Sequence, residues 1–200
     1  MQCNQQDEYI FQEAMAMTKR ISSILFLCCL ILLFSPLAAS SIKSKAETSL
    51  RSFFGASATL KRSTFQIPPS IKTSIEKTVR QRFFRNEVYF WKIELQDGSR
   101  AFAILDNVYG KAMPITFLVA FDKQGTVLHS TIVKYREAIG GMVRAAKWQH
   151  QFVGRNAESG FAIGKDIDAI SGATISTHAV AKGIKKLSLL FQSIKAADTE

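Results

Sequence analysis

A run of small and hydroxyl-bearing residues, 168–177, lies directly before the last amphipathic segment of the chain. The first N–H groups of a helix have no acceptor within it, and the helix dipole places partial positive charge there. Such a place binds phosphate. Gly172 and Ala173 let a bulky group approach the backbone, and Thr174 presents a hydroxyl at the edge of the anion site. Composition alone leaves another interpretation open, in which the serines only cap the helix and the glycine forms a turn.

The segment after this run predicts the helix that positions it. Val180, Ile184, Leu187 and Phe191 recur on one face of residues 176–194, with lysines away from that face. An earlier amphipathic helix is predicted over residues 71–84 after a pair of prolines, with Ser70 as its cap. Residues 40–60 are interpreted as a spacer or a first helix.

Between these helices the hydrophobic pattern changes to that of strands, with turn-forming residues at 96–99 and 122–125. The predicted strands, in antiparallel order, are residues 88–95, 101–105, 114–121 and 127–135. We therefore expect an α+β fold: a single domain with an antiparallel twisted sheet flanked by helices, and a C-terminal helix that follows the hydroxyl-rich loop.

Residues 168–174 (Asp-Ala-Ile-Ser-Gly-Ala-Thr) resemble the flavinylation motif of FMN-binding domain proteins. That family includes flavin subunits of sodium-translocating NADH:quinone reductases and of Rnf electron-transport complexes. The resemblance implies that a flavin transferase links the phosphate of FMN to Thr174, so the implied cofactor is covalent FMN. It implies no catalytic residue of the protein's own. The implied cofactor-binding residues are Thr174, Ser171, Gly172, Ala173, Ser176, Thr177, Asp168, Glu137, Gly140 and Gly141.

The resemblance extends upstream and covers about residues 88–190. Residues 135–141 resemble the segment of the family in which a glutamate precedes glycines, although Ala-Ile-Gly-Gly stands where the complex subunits have Thr-Pro-Gly-Leu-Gly. Residues 151–155 resemble an aromatic-Gly-basic step, and residues 108–116 a strand pair around a Gly-Lys turn. The chain is thus more similar to stand-alone members than to complex subunits.

Several of these residues also have simpler interpretations. Glu137 is either a solvated charge or a group near the flavin that accepts hydrogen bonds from backbone or ring N–H groups. Trp148 and Phe152 either fill the core or pack on the isoalloxazine ring. His129 and His178 form no metal pattern with the carboxylates, so no metal site is expected.

The first 40 residues have the pattern of an export signal. A basic pair precedes an apolar run at residues 24–34, and small residues follow at 35–40. The run is short for a membrane span of about 20 residues. The interpretation as an uncleaved membrane anchor nevertheless stays open. Met17 is a more conventional start than Met1. We expect an exported protein, periplasmic or attached to the outer face of the inner membrane; if the leader is removed, the mature chain has no cysteine.

The expected division is an N-terminal extension with signal peptide or anchor (1–40), a spacer and helical region (41–87), an FMN-binding domain (88–194) and a tail (195–200). The favoured function is an extracytoplasmic electron-transfer flavoprotein, a redox carrier more than a self-contained enzyme. Its expected partners are a flavin transferase for maturation, and membrane or periplasmic redox proteins as electron donor and acceptor.

The sequence leaves two other functions open. One is a flavin-dependent reductase domain with its own small substrate. The other is a non-redox basic domain that binds anionic lipid or polyanions, suggested by 26 Lys and Arg against 16 Asp and Glu, a formal charge of +10. We expect no nucleic acid as the natural partner, and the sequence does not determine the oligomeric state.

Overall fold

The computed structural model describes residues 41–197, which contain a five-stranded antiparallel sheet in the order β1-β2-β3-β4-β5. The strands are β1 (Thr59–Gln66), β2 (Glu87–Glu94), β3 (Arg100–Tyr109), β4 (Pro114–Phe121) and β5 (Val127–Lys134). The α-helices are α1 (Ile42–Phe54), α2 (Pro69–Val79), α3 (Ala146–His150) and α4 (Thr174–Ala197), and a 3-10 helix η1 spans Gly141–Arg144. The predicted α+β fold with an antiparallel sheet and a C-terminal helix is confirmed.

Helices cover both faces of the sheet. Apolar residues of α2 and α4 pack with one face in a large core cluster, and Ala46 and Leu50 of α1 pack with Trp91 and other residues of the opposite face. Strands β3 and β4 therefore bury almost every side chain instead of alternating between buried and exposed. This layered packing holds the first turn of α4 beside the β3–β4 turn.

A glycine brings α4 close to the sheet. A Cβ atom on Gly183 would lie 2.8 Å from both Phe117 and Val108, so no larger residue fits between helix and sheet without a shift. Glycine inside a helix ordinarily costs about 1 kcal/mol relative to alanine. Here that cost is offset by close packing of the helix against strands β3 and β4.

Strand β1 was not predicted from the sequence. Residues 59–66 pair with β2 along its whole length, in a region that we interpreted as spacer and helix. The strand lies at the edge of the sheet, and most of its side chains are exposed. Because neither face of it is well buried, it lacks the alternation of apolar and polar residues that reveals a strand.

The predicted limits of two helices were wrong. Helix α2 begins at Pro69 and not at residue 71, and Ser70 lies inside it without capping it, since proline is already suited to the first helical position. The helix ends early because Arg80 adopts a left-handed conformation, φ 54°. Helix α4 begins at Thr174, two residues before the predicted start, so Thr174 lies on the helix and not in the loop.

Within residues 41–197, no helix combines the length and the apolar character that crossing a membrane requires. The predictions about the leader, the anchor and the start codon concern residues 1–40, which lie outside the described residues.

Candidate functional site

A cleft of about 580 Å³ opens where three parts of the fold meet: the β3–β4 turn, the loop after β5 and the start of α4. Its volume lies within the ~300–1,000 Å³ that is common for small-molecule sites. The residues that line it are Lys111, Ala112, Glu137, Ala138, Ile139, Gly172, Ala173, Thr174, Ile175 and Ser176. Half of these ten residues were predicted from the sequence to bind the cofactor.

The first turn of α4 forms one wall of the cleft. Gly172 has a φ of 73°, which turns the chain into the helix, and Ala173 is buried. The N–H of Thr177 donates to the carbonyl of Ala173 (2.9 Å), the first hydrogen bond of the helix. The N–H groups before it have no acceptor within the helix, and the exposed Thr174 side chain stands among them. An anion in this cleft would meet unpaired N–H groups and the positive end of a 24-residue helix.

A tyrosine hydroxyl joins the loop after β5 to this turn. Tyr135 Oη donates to the carbonyl of Ile139 (2.5 Å) and lies 2.9 Å from Ser176 Oγ. A tyrosine hydroxyl has one proton, so Ser176 must be the donor in the second contact. Gly140 has a φ of 85°, and a Cβ on it would lie 2.8 Å from Tyr135 Oη and 3.1 Å from Ser176 Oγ. Glycine at position 140 therefore allows the loop to close onto α4.

On the opposite side of the cleft, Glu137 connects the loop after β5 to the β3–β4 turn. Its Oε1 accepts hydrogen bonds from the N–H groups of Ala112 (2.8 Å) and Met113 (3.0 Å) in the β3–β4 turn. These bonds, that from Met113 first and that from Ala112 next, hold the pKa of Glu137 below its usual value. A Cβ on Gly110 would overlap Glu137 Oε1, so glycine there makes room for the carboxylate. Glu137 thus accepts hydrogen bonds from the protein's own backbone, and its expected place near the flavin stays a prediction.

The cleft lies within a region that matches a known protein family. Residues 110–188 match the family model described as the FMN-binding domain. Residues 110–188 belong to the FMN-binding domain family. The match begins at Gly110, the glycine that makes room for the Glu137 carboxylate, and it ends inside α4. It therefore contains every residue that lines the cleft. A comparison with curated proteins gives no match.

In this FMN-binding domain, Asp168 has a structural place outside the cleft. Its N–H donates to Gln151 Oε1 (2.8 Å), and its carbonyl accepts from Trp148 Nε1 (2.8 Å). Trp148 is buried, as is Phe152, whose ring lies edge-on to it at 5.1 Å. Neither ring lines the cleft, so of the two interpretations the structure shows core packing. They anchor the loop that leads to Thr174.

The other predicted residues have different environments. Ser171 and Gly172 are exposed at the end of the loop, whereas Ser176 and Thr177 are buried. Thr177 Oγ1 donates to the carbonyl of Thr174 (2.8 Å). Gly141 follows Gly140 as the first residue of η1, and it does not line the cleft.

Two lysines of α4 lie outside this cleft. Lys182 and Lys185 line a second cleft beside Phe161, and Lys185 Nζ donates to the carbonyls of Ala157 (2.6 Å) and Ser159 (2.8 Å). Partial burial lowers the pKa of Lys185. Both lysines lie two to three helical turns beyond Thr174.

Five residues of the cleft were missed as site residues: Lys111, Ala112, Ala138, Ile139 and Ile175. The sequence offered a partial signal, since the Gly-Lys turn had already been noted as similar to the family. Within residues 41–197 no group of three or more His, Asp or Glu side chains is arranged to hold a metal ion.

Proposed function

We propose that this FMN-binding domain is an extracytoplasmic electron-transfer flavoprotein that holds FMN through a phosphoester bond to Thr174. One observation carries the proposal. The exposed Thr174 side chain stands on the first residue of α4 and lines a cleft of suitable size. Its hydroxyl thus combines access for a modifying enzyme with a site that stabilises phosphate.

The residues of the cleft suit the two chemically different parts of FMN. The first turn of α4 offers N–H groups and positive potential to a phosphate. Ala112, Ile139 and Ile175 offer apolar surface to a flat ring system. When bound, FMN supplies the redox chemistry, while the protein contributes attachment, orientation and electrostatics.

Neighbouring hydroxyls are less suited to the attachment. Ser176 donates to Tyr135, and Thr177 is buried and donates to the carbonyl of Thr174. Ser171 is exposed but lies three residues before the helix and does not line the cleft. Esterification forms a bond between Thr174 Oγ1 and phosphorus, releases the hydroxyl proton and expels the leaving group carried by the flavin donor. The net gain is FMN less one water.

The flavin transferase, the redox partners and the location outside the cytoplasm are parts of this proposal. Covalent attachment would keep FMN on a protein in a compartment where lost cofactor is not replaced. The export pattern of residues 1–40 supports the proposed location. A cleft that opens to the surface suits a carrier, because electrons must reach the flavin from other proteins.

The attachment is tested by expressing the full chain together with a flavin transferase and measuring its intact mass after denaturation. We expect a gain of FMN less water and flavin fluorescence on the peptide that contains Thr174. Thr174→Val keeps the branched shape but removes the hydroxyl, so it should abolish the gain. Ser171→Ala is the matched control and should keep it. An adduct that survives in Thr174→Val, or an unmodified wild-type chain, contradicts the proposal.

A further inference from the structure

Exposed apolar side chains are concentrated around the cleft. In the part of the chain that the structure describes, seven large hydrophobic residues are exposed. Two of them line this cleft, and three more lie within three positions in sequence of a residue that lines it. We call these five the apolar rim: Tyr109 (68% exposed), Met113 (45%), Ile139 (76%), Met142 (63%) and Ile175 (50%). Single exposed apolar residues are ordinary, whereas a contiguous group marks an interaction surface.

The hydrogen bonds of the site hold the apolar rim in place. The backbone of Met113 donates to Glu137, and the carbonyl of Ile139 accepts from Tyr135. Met142 belongs to η1, which packs against α4 directly after Gly140. A surface that is already ordered loses little conformational entropy when a partner binds.

Positive charge flanks the apolar rim. Lys111 and Arg144 are exposed beside it. The guanidinium carbon of Arg144 lies 5.9 Å from the centroid of the Tyr135 ring. The ring centroids of Tyr109 and Phe84 lie 5.0 Å apart, so the rim lies next to residues 80–85. That segment carries Arg80, Arg82 and Arg85, all exposed. Glu137 is the carboxylate inside the rim, and its Oε1 already accepts two backbone hydrogen bonds.

We propose that the apolar rim and its basic flank form the docking surface for an acidic redox protein, whose own contact surface has an apolar centre bordered by carboxylates. This inference rests on the proposed function, because docking here places the partner against the mouth of the flavin cleft. The partner is a one-electron carrier, so two encounters and protons from the solvent complete the reduction of one flavin. A convex protein surface fits a concave cleft better than a flat bilayer does.

The test uses an acidic [2Fe–2S] ferredoxin as the probe. Its binding to the full chain is measured by calorimetry at low salt, about 10 mM, where the Debye length is about 30 Å. The rate at which reduced ferredoxin transfers its electron to the flavinylated chain is measured by stopped flow. Both affinity and rate should fall as salt rises, since opposite charges steer the association.

Each variant of the surface has a matched control. Met142→Asp places a charge in the rim outside the cleft, and Val153→Asp does the same at an exposed apolar residue away from it. Lys111→Glu reverses a charge on the β3–β4 turn, and Lys123→Glu reverses one on the turn at the opposite end of β4. We expect Met142→Asp and Lys111→Glu to bind ferredoxin at least ~10-fold more weakly and to accept its electron at least ~10-fold more slowly. The two controls should change less than ~2-fold. Reduction by dithionite should be equal in Met142→Asp, Val153→Asp and Lys123→Glu, because none of these residues lines the cleft.

The outcomes separate this inference from the proposed function. The wild-type chain could carry no flavin after expression with a flavin transferase, while Met142→Asp still weakens its binding of ferredoxin. That result refutes only the attachment to Thr174. A flavinylated chain whose binding and rate are the same in Met142→Asp and Val153→Asp refutes the docking surface. Binding of the wild type to phosphatidylglycerol vesicles that Met142→Asp abolishes, without any effect on ferredoxin, assigns the surface to lipid and also overturns the inference.

Discussion

At the scale of single residues, three hydroxyls within four positions of α4 have different hydrogen-bond environments. Ser176 donates to Tyr135, Thr177 donates to a backbone carbonyl, and Thr174 remains exposed at the cleft. These differences arise from which side of the helix each residue occupies. The chemistry proposed for Thr174 follows from its access as much as from its hydroxyl.

Gly140 is predicted to be essential for closing the loop onto the helix. Alanine there would be strained by the positive φ and would crowd Tyr135 and Ser176. Gly154→Ala is the matched control, since Gly154 has a nearly equal φ of 82° but no atom within 4 Å of the added carbon. Both variants should lose about 1–2 kcal/mol from backbone strain. Gly140→Ala should lose about 1–3 kcal/mol more from overpacking.

The free energies of unfolding of the two variants, from urea denaturation, test this. Equal losses in Gly140→Ala and Gly154→Ala would show that the contact with Tyr135 and Ser176 does not restrict the loop. Flavinylation should also be reduced in Gly140→Ala alone, because the helix start that carries Thr174 is displaced.

At the scale of elements, the carboxylate of Glu137 ties the loop after β5 to the β3–β4 hairpin. Its pKa is lowered in the folded chain, so the stabilisation is fully present above the pKa of the unfolded chain, about 4.5. It is lost as the pH falls through the lower, folded pKa. The melting temperature of the wild type should therefore exceed that of Glu137→Ala at pH 7, and the gap should shrink as the pH falls below 4.5.

Glu137→Gln separates charge from hydrogen bonding. Its amide oxygen can still accept from Ala112 and Met113, but its acceptor strength does not change with pH. We expect an intermediate melting temperature at pH 7. A gap between wild type and Glu137→Ala that is constant from pH 7 to pH 3 would show that the carboxylate does not stabilise the hairpin.

At the scale of the whole molecule, a buried ion pair joins parts of the chain that are far apart in sequence. Lys186 Nζ of α4 lies 2.9 Å from Asp106 Oδ2 of β3, with both side chains at most 4% exposed. The contact is an ion pair and not a directed hydrogen bond at that oxygen. Lys186 also donates to the carbonyl of Arg82 (3.2 Å) and lies 4.5 Å from the ring of Phe83.

Breaking this pair should be costly. Lys186→Met leaves the carboxylate of Asp106 buried without its cation and should lower the free energy of unfolding by about 3–5 kcal/mol. The double variant with Asp106→Leu removes both charges and should recover most of that loss. Urea denaturation of the single and double variants measures this. A single variant within ~1 kcal/mol of wild type, or a double variant as unstable as the single, would contradict it.

Much of the fold could be predicted from the sequence because the relevant signals are local. The hairpin turns, strands β2 to β5 and the amphipathic face of α4 all follow from residue order. Strand β1 could not, since it is held by pairing with β2 and not by burial. The early end of α2 depends on the left-handed conformation of Arg80, a residue that carries no local signal for it.

By itself, the sequence determined the α+β class, the family resemblance and the threonine that is the candidate for FMN attachment, since these depend on residue types at fixed spacing. The tertiary structure alone decided which residues share the cleft with Thr174. It brought Glu137 to the β3–β4 turn and Tyr135 to Ser176, and it placed Lys185 in a different cleft. Those contacts depend on how the helices pack across the sheet, and no local pattern of residues encodes such distances.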